Sequence, residues 1–180
     1  MYTENHCSLD KVVTIEDQVY ESMKGRYFIG QSNLLTIEPY KYVWGALYNP
    51  KNSGVNLYVS VVTVTNTSDV SIKSRIYMNP HLSRNYDIVK AITPANLAIC
   101  PPPKPEVCFL VGSFCNIENI GGVKAFTRIV PANSTLANEK DGKIIIPPGK
   151  NIMMLLVSPG DEIVEADIAY GWWEKPIDIM

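Results

Sequence analysis

Three cysteines at positions 100, 108 and 115 follow the pattern C-x7-C-x6-C, and the first two enclose "CPPPKPEVC"; a fourth thiol is Cys7. Thiols hold metals, pass electrons, cross-link chains or sit in cores as small apolar groups. Structural zinc favours ligand pairs roughly two to four residues apart, and no histidine completes a set after Cys115, so no metal is expected. A redox C-x-x-C is absent. A Cys100–Cys108 disulfide would stabilise by ~2–3 kcal/mol if the chain met an oxidant. Links between subunits, with Cys7 taking part, fit the same arithmetic. Cytosolic thiols stay reduced and serve as small hydrophobes or free thiols. The run "PPPKP" reads either as a polyproline ligand for an SH3-type groove or as a stiff connection between strands.

Other catalytic patterns are missing. The two histidines, His6 and His81, neighbour no patterned nucleophile, and "GKNI" and "GGVK" lack phosphate-loop spacing. Asp161/Glu162 and Glu165/Asp167 are carboxylate pairs that also serve solubility and edge protection. No catalytic residue and no cofactor is therefore expected. Aromatics remain: Tyr42, Trp44 and Tyr48 share strand parity, a candidate surface for a glycan or protein ligand, although core packing is the more frequent use of such residues. The sequons at Asn66 and Asn133 lie in turns and read as turn chemistry.

The elements that would position these groups are strands. "VSIKSRIYM" (70–78) and "VEADIAYGW" (164–172) alternate apolar and polar with period two. "VNLYVSVVTVT" (55–65) is rich in β-branched residues, with a change of phase at Val61-Val62 that a bulge or a strand buried on both faces would produce. Further strands are expected at 18–30, 42–48, 123–130, 143–146 and 151–157, and weaker ones at 12–15, 96–100 and 107–111. Turn chemistry separates them at "NPKNSG", "NTSD", "GG", "PANST", "KDGK", "PPGKN" and "SPGD". The best helical turns are near 79–86 and 135–139. Roughly eight to ten short strands in 180 residues predict an all-β fold: a two-sheet antiparallel β-sandwich, first a jelly roll and second an immunoglobulin-like sandwich. Residues 1–17 read as an N-terminal extension and candidate linking strand, and residues 18–180 as a single domain.

Composition narrows the partners. A net charge of −2 makes no electrostatic case for nucleic acid or an anionic membrane. The longest apolar run, "IMMLLV", is far short of the ~20 residues of a membrane helix. "MYTENHCSLDKVV" has no basic start followed by an apolar run, so a cytosolic origin without a signal peptide is expected. Residues 1–40 carry 3 basic and 6 acidic side chains and residues 41–100 carry 6 and 2, a split that suits head-to-tail self-contact.

Two stretches, "GALYNPKNSGVNLYVSVVTVTNTS" (45–68) and "GGVKAFTRIVPANSTLANEKDGKIIIPPGKNIMMLLVSP" (121–159), with "AYGWWE" (169–174), resemble an uncharacterised family of small all-β proteins from spore-forming Firmicutes. The layout is more loosely similar to jelly-roll subunits of endospore appendages and to phage-type structural proteins. The looser likeness implies subunits linked through N-terminal extensions. The sequence is thus expected to encode a non-enzymatic structural protein, a homo-polymer forming a fibre or surface layer at the spore or cell surface. The other reading is a glycan- or protein-binding module using the aromatic strand.

Overall fold

The computed structural model describes residues 12–177. Helix α1 (Asp17–Met23) comes first. Among the described residues twelve strands follow: β1 (Tyr27–Gln31), β2 (Leu35–Ile37), β3 (Tyr42–Tyr48), β4 (Val55–Asn66), β5 (Ile72–Met78), β6 (Tyr86–Ile88), β7 (Ile92–Pro94), β8 (Cys108–Phe114), β9 (Val123–Val130), β10 (Ser134–Ile146), β11 (Asn151–Val157) and β12 (Val164–Pro176). One sheet, the β12 sheet, runs β10-β4-β12-β1-β7, with β2 also on β12. The other, the β11 sheet, runs β6-β8-β3-β11-β5-β9. All the pairings are antiparallel.

The pairings nest. Strands β1 and β2 pair with β12, β3 with β11, β4 with β10 and β5 with β9, and successive pairs fall in opposite sheets. A hairpin rolled up in this way is a jelly roll. The immunoglobulin order, in which strands A-B-E-D face C-F-G, is a different one. Residues 79–122 form the inner end of the roll. They add β6 and β8 beside β3 in one sheet and β7 beside β1 in the other.

The main core lies between the sheets. Leu57, Val64, Ile168 and Trp172 face Leu47, Ile76, Ile152 and Leu156. Tyr170 reaches across and donates its hydroxyl to the Gly45 carbonyl at 2.9 Å. Its fully buried hydroxyl has its pKa raised by desolvation and stays a neutral donor. Two asparagines hold the ends of β4. Asn49 donates to the carbonyls of Val55 and Ile146, and Asn66 to those of Val70, Val130 and Pro131. The sequon at Asn66 is thus turn chemistry with a buried amide.

Several local expectations need correction. The segment 18–30 is not one strand, since residues 18–23 belong to α1 and only Tyr27–Gln31 pairs. The helix buries Glu21, while Val19, Tyr20 and Met23 stay exposed. Ion pairs of Lys175 with Asp17 (2.9 Å) and Glu21 (3.6 Å) dock it, so no apolar stripe announced it. The "KDGK" turn is not a break: β10 runs through it as a bulge between Glu139 and Ile144, with Asp141 and Gly142 left-handed. A Cβ on Gly142 would run into the Trp173 ring. Residues 135–139 are strand, residues 79–85 carry no helix, and 12–15 and 96–100 form no strand. No described helix is long and apolar enough to cross a membrane.

Candidate functional site

The cysteine loop crosses the sandwich. Strand β7 belongs to the β12 sheet and β8 to the β11 sheet, so residues 95–107 pass from one layer to the other. A buried carboxylate at the end of β12 holds the far end of this crossing. Glu174 accepts hydrogen bonds from the Glu106 and Val107 backbone N–H groups at 2.9 and 3.2 Å, and from Trp172 Nε1 at 3.0 Å. Burial pushes its carboxyl up, and the three donors pull part of the way back. Cys100 and Cys115 are exposed and Cys108 is half-buried; all three are free thiols. Desolvation, then the nearby Glu174 charge, raises the Cys108 thiol, which makes it a poorer nucleophile. Cys7 lies outside the described residues. Among the described residues no group of three His, Cys, Asp or Glu side chains is placed to hold a metal ion. His81 packs against Gly121 in a turn.

Tyr42, Trp44 and Tyr48 do share one face, the outer face of the β11 sheet. That face is covered. Leu82, Ile117 and Ile120, from the stretches before β6 and after β8, pack there with Trp44, Ala46, Met153 and Leu155. Trp44 is 0% exposed, and its ring lies 5.8 Å from that of Phe114. Gly112 permits this fit, since a Cβ there would fall 2.6 Å from Trp44 Cζ2. Trp44 therefore has no surface to offer a ligand as it stands, and the half-buried Tyr42 and Tyr48 rim a second core. The last aromatic pair divides: Trp172 is in the main core, and Trp173 stacks on Tyr58 at 5.5 Å outside it.

The uncovered features are grooves and strand edges. A shallow groove of about 460 Å³ lies along α1, lined by Val19, Ser22, Met23, Tyr27 and Ala95. A second hollow of about 580 Å³ separates Asn33–Leu35 from Asp87–Ala91. Its titratable side chains are Asp87 and Lys90, without the nucleophile and base of a hydrolytic site. Edges are the larger feature. Strands β6, β7 and β2 are three residues each, whereas β9 and β10 have 8 and 13 and border one flank in opposite sheets.

The β9 side of that flank is basic, whereas β10 carries Glu139 and Asp141 beside Lys140 and Lys143. Strands β5 and β9 contribute Lys73, Arg75, Lys124 and Arg128, and neither strand contains an acidic residue. Beneath them Lys140 is buried, with Nζ 2.6 Å from Asn138 Oδ1 and 4.4 Å from the Phe126 ring centroid. Desolvation, then the Arg128 charge, lowers its pKa. Counting charge by sequence blocks missed this strip, because β5 and β9 fall in different blocks and meet only through pairing. The signal lay in two alternating strands whose polar positions carried only positive charge.

Fold and surface together define a jelly-roll β-sandwich with one long-edged flank that is basic along β9. A model of a family of unknown function, DUF6143, matches residues 1–179, and the chain belongs to that family. No curated protein and no solved structure gives a significant match to it.

Proposed function

We propose that the protein is a non-enzymatic structural subunit that joins copies of itself into a fibre or surface layer. One observation carries this reading: the long strand edges left unpaired on one flank among the described residues, β9 and β10, which present backbone donors and acceptors to a neighbour. A β-prone run supports it. Residues Val12–Ile15 lie outside every strand of the fold, and Val12 and Val13 are 85% and 70% exposed. An extended segment of this kind adds to a sheet edge by main-chain hydrogen bonds. The spore or cell surface is the place we propose for the assembly, on the likeness of the sequence to proteins of spore-forming Firmicutes. Cys7, Cys100 and Cys115 would link subunits where an oxidant is met.

Electron microscopy of the purified chain, with and without reductant, tests the proposal. Ordered polymers are the expected result, and their loss in reductant would assign the cysteines a part in linkage. Deleting residues 2–16, which leaves α1 intact, should abolish them. A chain that stays monomeric at all concentrations would sink the proposal. Unchanged assembly after the deletion would remove the extension from it.

A further inference from the structure

The edges of the jelly roll are not equivalent, and the difference selects one of them. Strand β10 is the longest, but its bulge at Lys140–Lys143, with two left-handed residues, interrupts the edge. Strands β2, β6 and β7 offer three residues each, and β7 ends in Pro94. On β9 the register shift falls at Ala125, which leaves Phe126–Val130 regular against Ile72–Ile76. Its exposed side chains include Val123 and Ile129, one on each face, 66% and 65% exposed. A strand with large apolar side chains in water and a ladder edge unpaired among the described residues is an unusual surface for a lone molecule.

Charge then narrows the occupant. A second β9 is disfavoured, because antiparallel pairing of the regular stretch Phe126–Val130 with its copy sets Arg128 opposite Arg128. Acidic flanks are favoured, since Lys124 and Arg128 border this edge on its two faces and Lys73 and Arg75 stand on the neighbouring β5. The chain carries a segment with acidic flanks. Val12–Ile15 is a four-residue run, β-branched throughout, flanked in sequence by Asp10 and Lys11 on one side and Glu16 and Asp17 on the other, a net charge of −2 over residues 10–17. Helix α1 ties its C-terminal end to the β12 sheet through Lys175, whereas β9 borders the β11 sheet.

We propose that the edge of β9, unpaired among the described residues, receives Val12–Ile15 of a second copy as an added antiparallel or parallel strand, with Glu16 against the basic side chains. The proposal rests on the self-assembly reading and names the surface through which it works. Each copy then has one donor and one acceptor, so the contact is head-to-tail and propagates.

The test places a photo-crosslinking amino acid at Val13 in the full chain. Isotope-labelled and unlabelled copies are mixed in reductant at low salt. Expected are crosslinks between heavy and light copies that map to Val123–Val130. Reversing both charges, Lys124→Glu with Arg128→Glu, should lower their yield ~fivefold or more, since opposed pairs become like pairs in weakly screened water. Adding Glu16→Lys should restore part of it. The reversed positions are exposed, and an unchanged melting curve would show that the variant is folded. Crosslinks mapping elsewhere, or within one copy, while polymers form would overturn the β9 assignment and leave self-assembly standing. A chain that forms no assembly at any concentration would overturn both.

Discussion

From Val164 to Ala169 β12 meets water on the outer face of its sheet, whereas the middle of the β11 sheet is buried on both faces. Strand β12 alternates buried Val164, Ala166, Ile168 and Tyr170 with more exposed Glu165, Asp167 and Ala169. Strand β11 is buried from Asn151 through Leu156 without a break. The cause is the inner end of the roll. Its stretches 79–85 and 115–122 lay Leu82, Ile117 and Ile120 over the outer face of β3 and β11. The cover stops short of β9, which keeps its exposed side chains. The difference teaches how one architecture builds a doubly buried strand and an open edge in the same sheet: coverage depends on where a connection runs.

The largest test of this contrast is Trp44→Ala. If the outer cluster is a true core, the variant loses about 3–5 kcal/mol of unfolding free energy. Urea unfolding with near-wild-type stability would instead make the cover dispensable. A finer comparison sets neighbours against each other. Leu155 faces the outer cluster and Leu156 the main core, and each truncation to alanine should cost about 2–5 kcal/mol. Ile145→Ala, on the wet face of the β12 sheet, should stay within about 0.5 kcal/mol. A Leu155 value near that of Ile145 would break the comparison.

Two smaller effects concern charges at the margins of the sheets. Burial raises the Glu174 carboxyl, so the folded chain holds its proton more tightly than the unfolded chain. The associated stability is complete below the ordinary carboxylate range and is lost as pH rises through the raised value. Glu174→Gln cannot ionise, so wild type should fall relative to the variant over that rise. Melting midpoints from about pH 4 to about pH 8 would reveal it, and parallel curves would contradict it. The smallest expected change is Lys140→Met. Replacing a buried ammonium beside Phe126 with an apolar chain of similar shape should be neutral or stabilise by about 1 kcal/mol. A loss of more than about 2 kcal/mol would mean that the bond to Asn138 outweighs desolvation.

Much of the strand layout was legible before any coordinates. Strands β3, β9 and β11 occupy the ranges read from composition and turns, because Gly, Pro and Asn act on neighbouring residues. Helix α1 escaped because charge rather than an apolar stripe docks it, and its partner Lys175 lies far along the chain. The bulge in β10 read as a turn because "KDGK" carries the same left-handed residues in either setting. At the candidate surfaces, parity correctly grouped Tyr42, Trp44 and Tyr48 on one face, but periodicity alone does not say what covers that face. The phase change expected at Val61-Val62 is a bulge at Ser60, one position earlier, where the β12 register slips between Gly171 and Trp172.

By itself the sequence determined the all-β class, most strand positions and the near absence of helix, since alternation and turn propensity are short-range properties. Only the tertiary structure decided the nested pairings that make the roll, the burial of Trp44, the clamp of Glu174 on the cysteine loop and the basic flank along β9. Each of these joins residues far apart in the chain, and contact between distant segments is set by which surfaces exclude water together rather than by any local pattern.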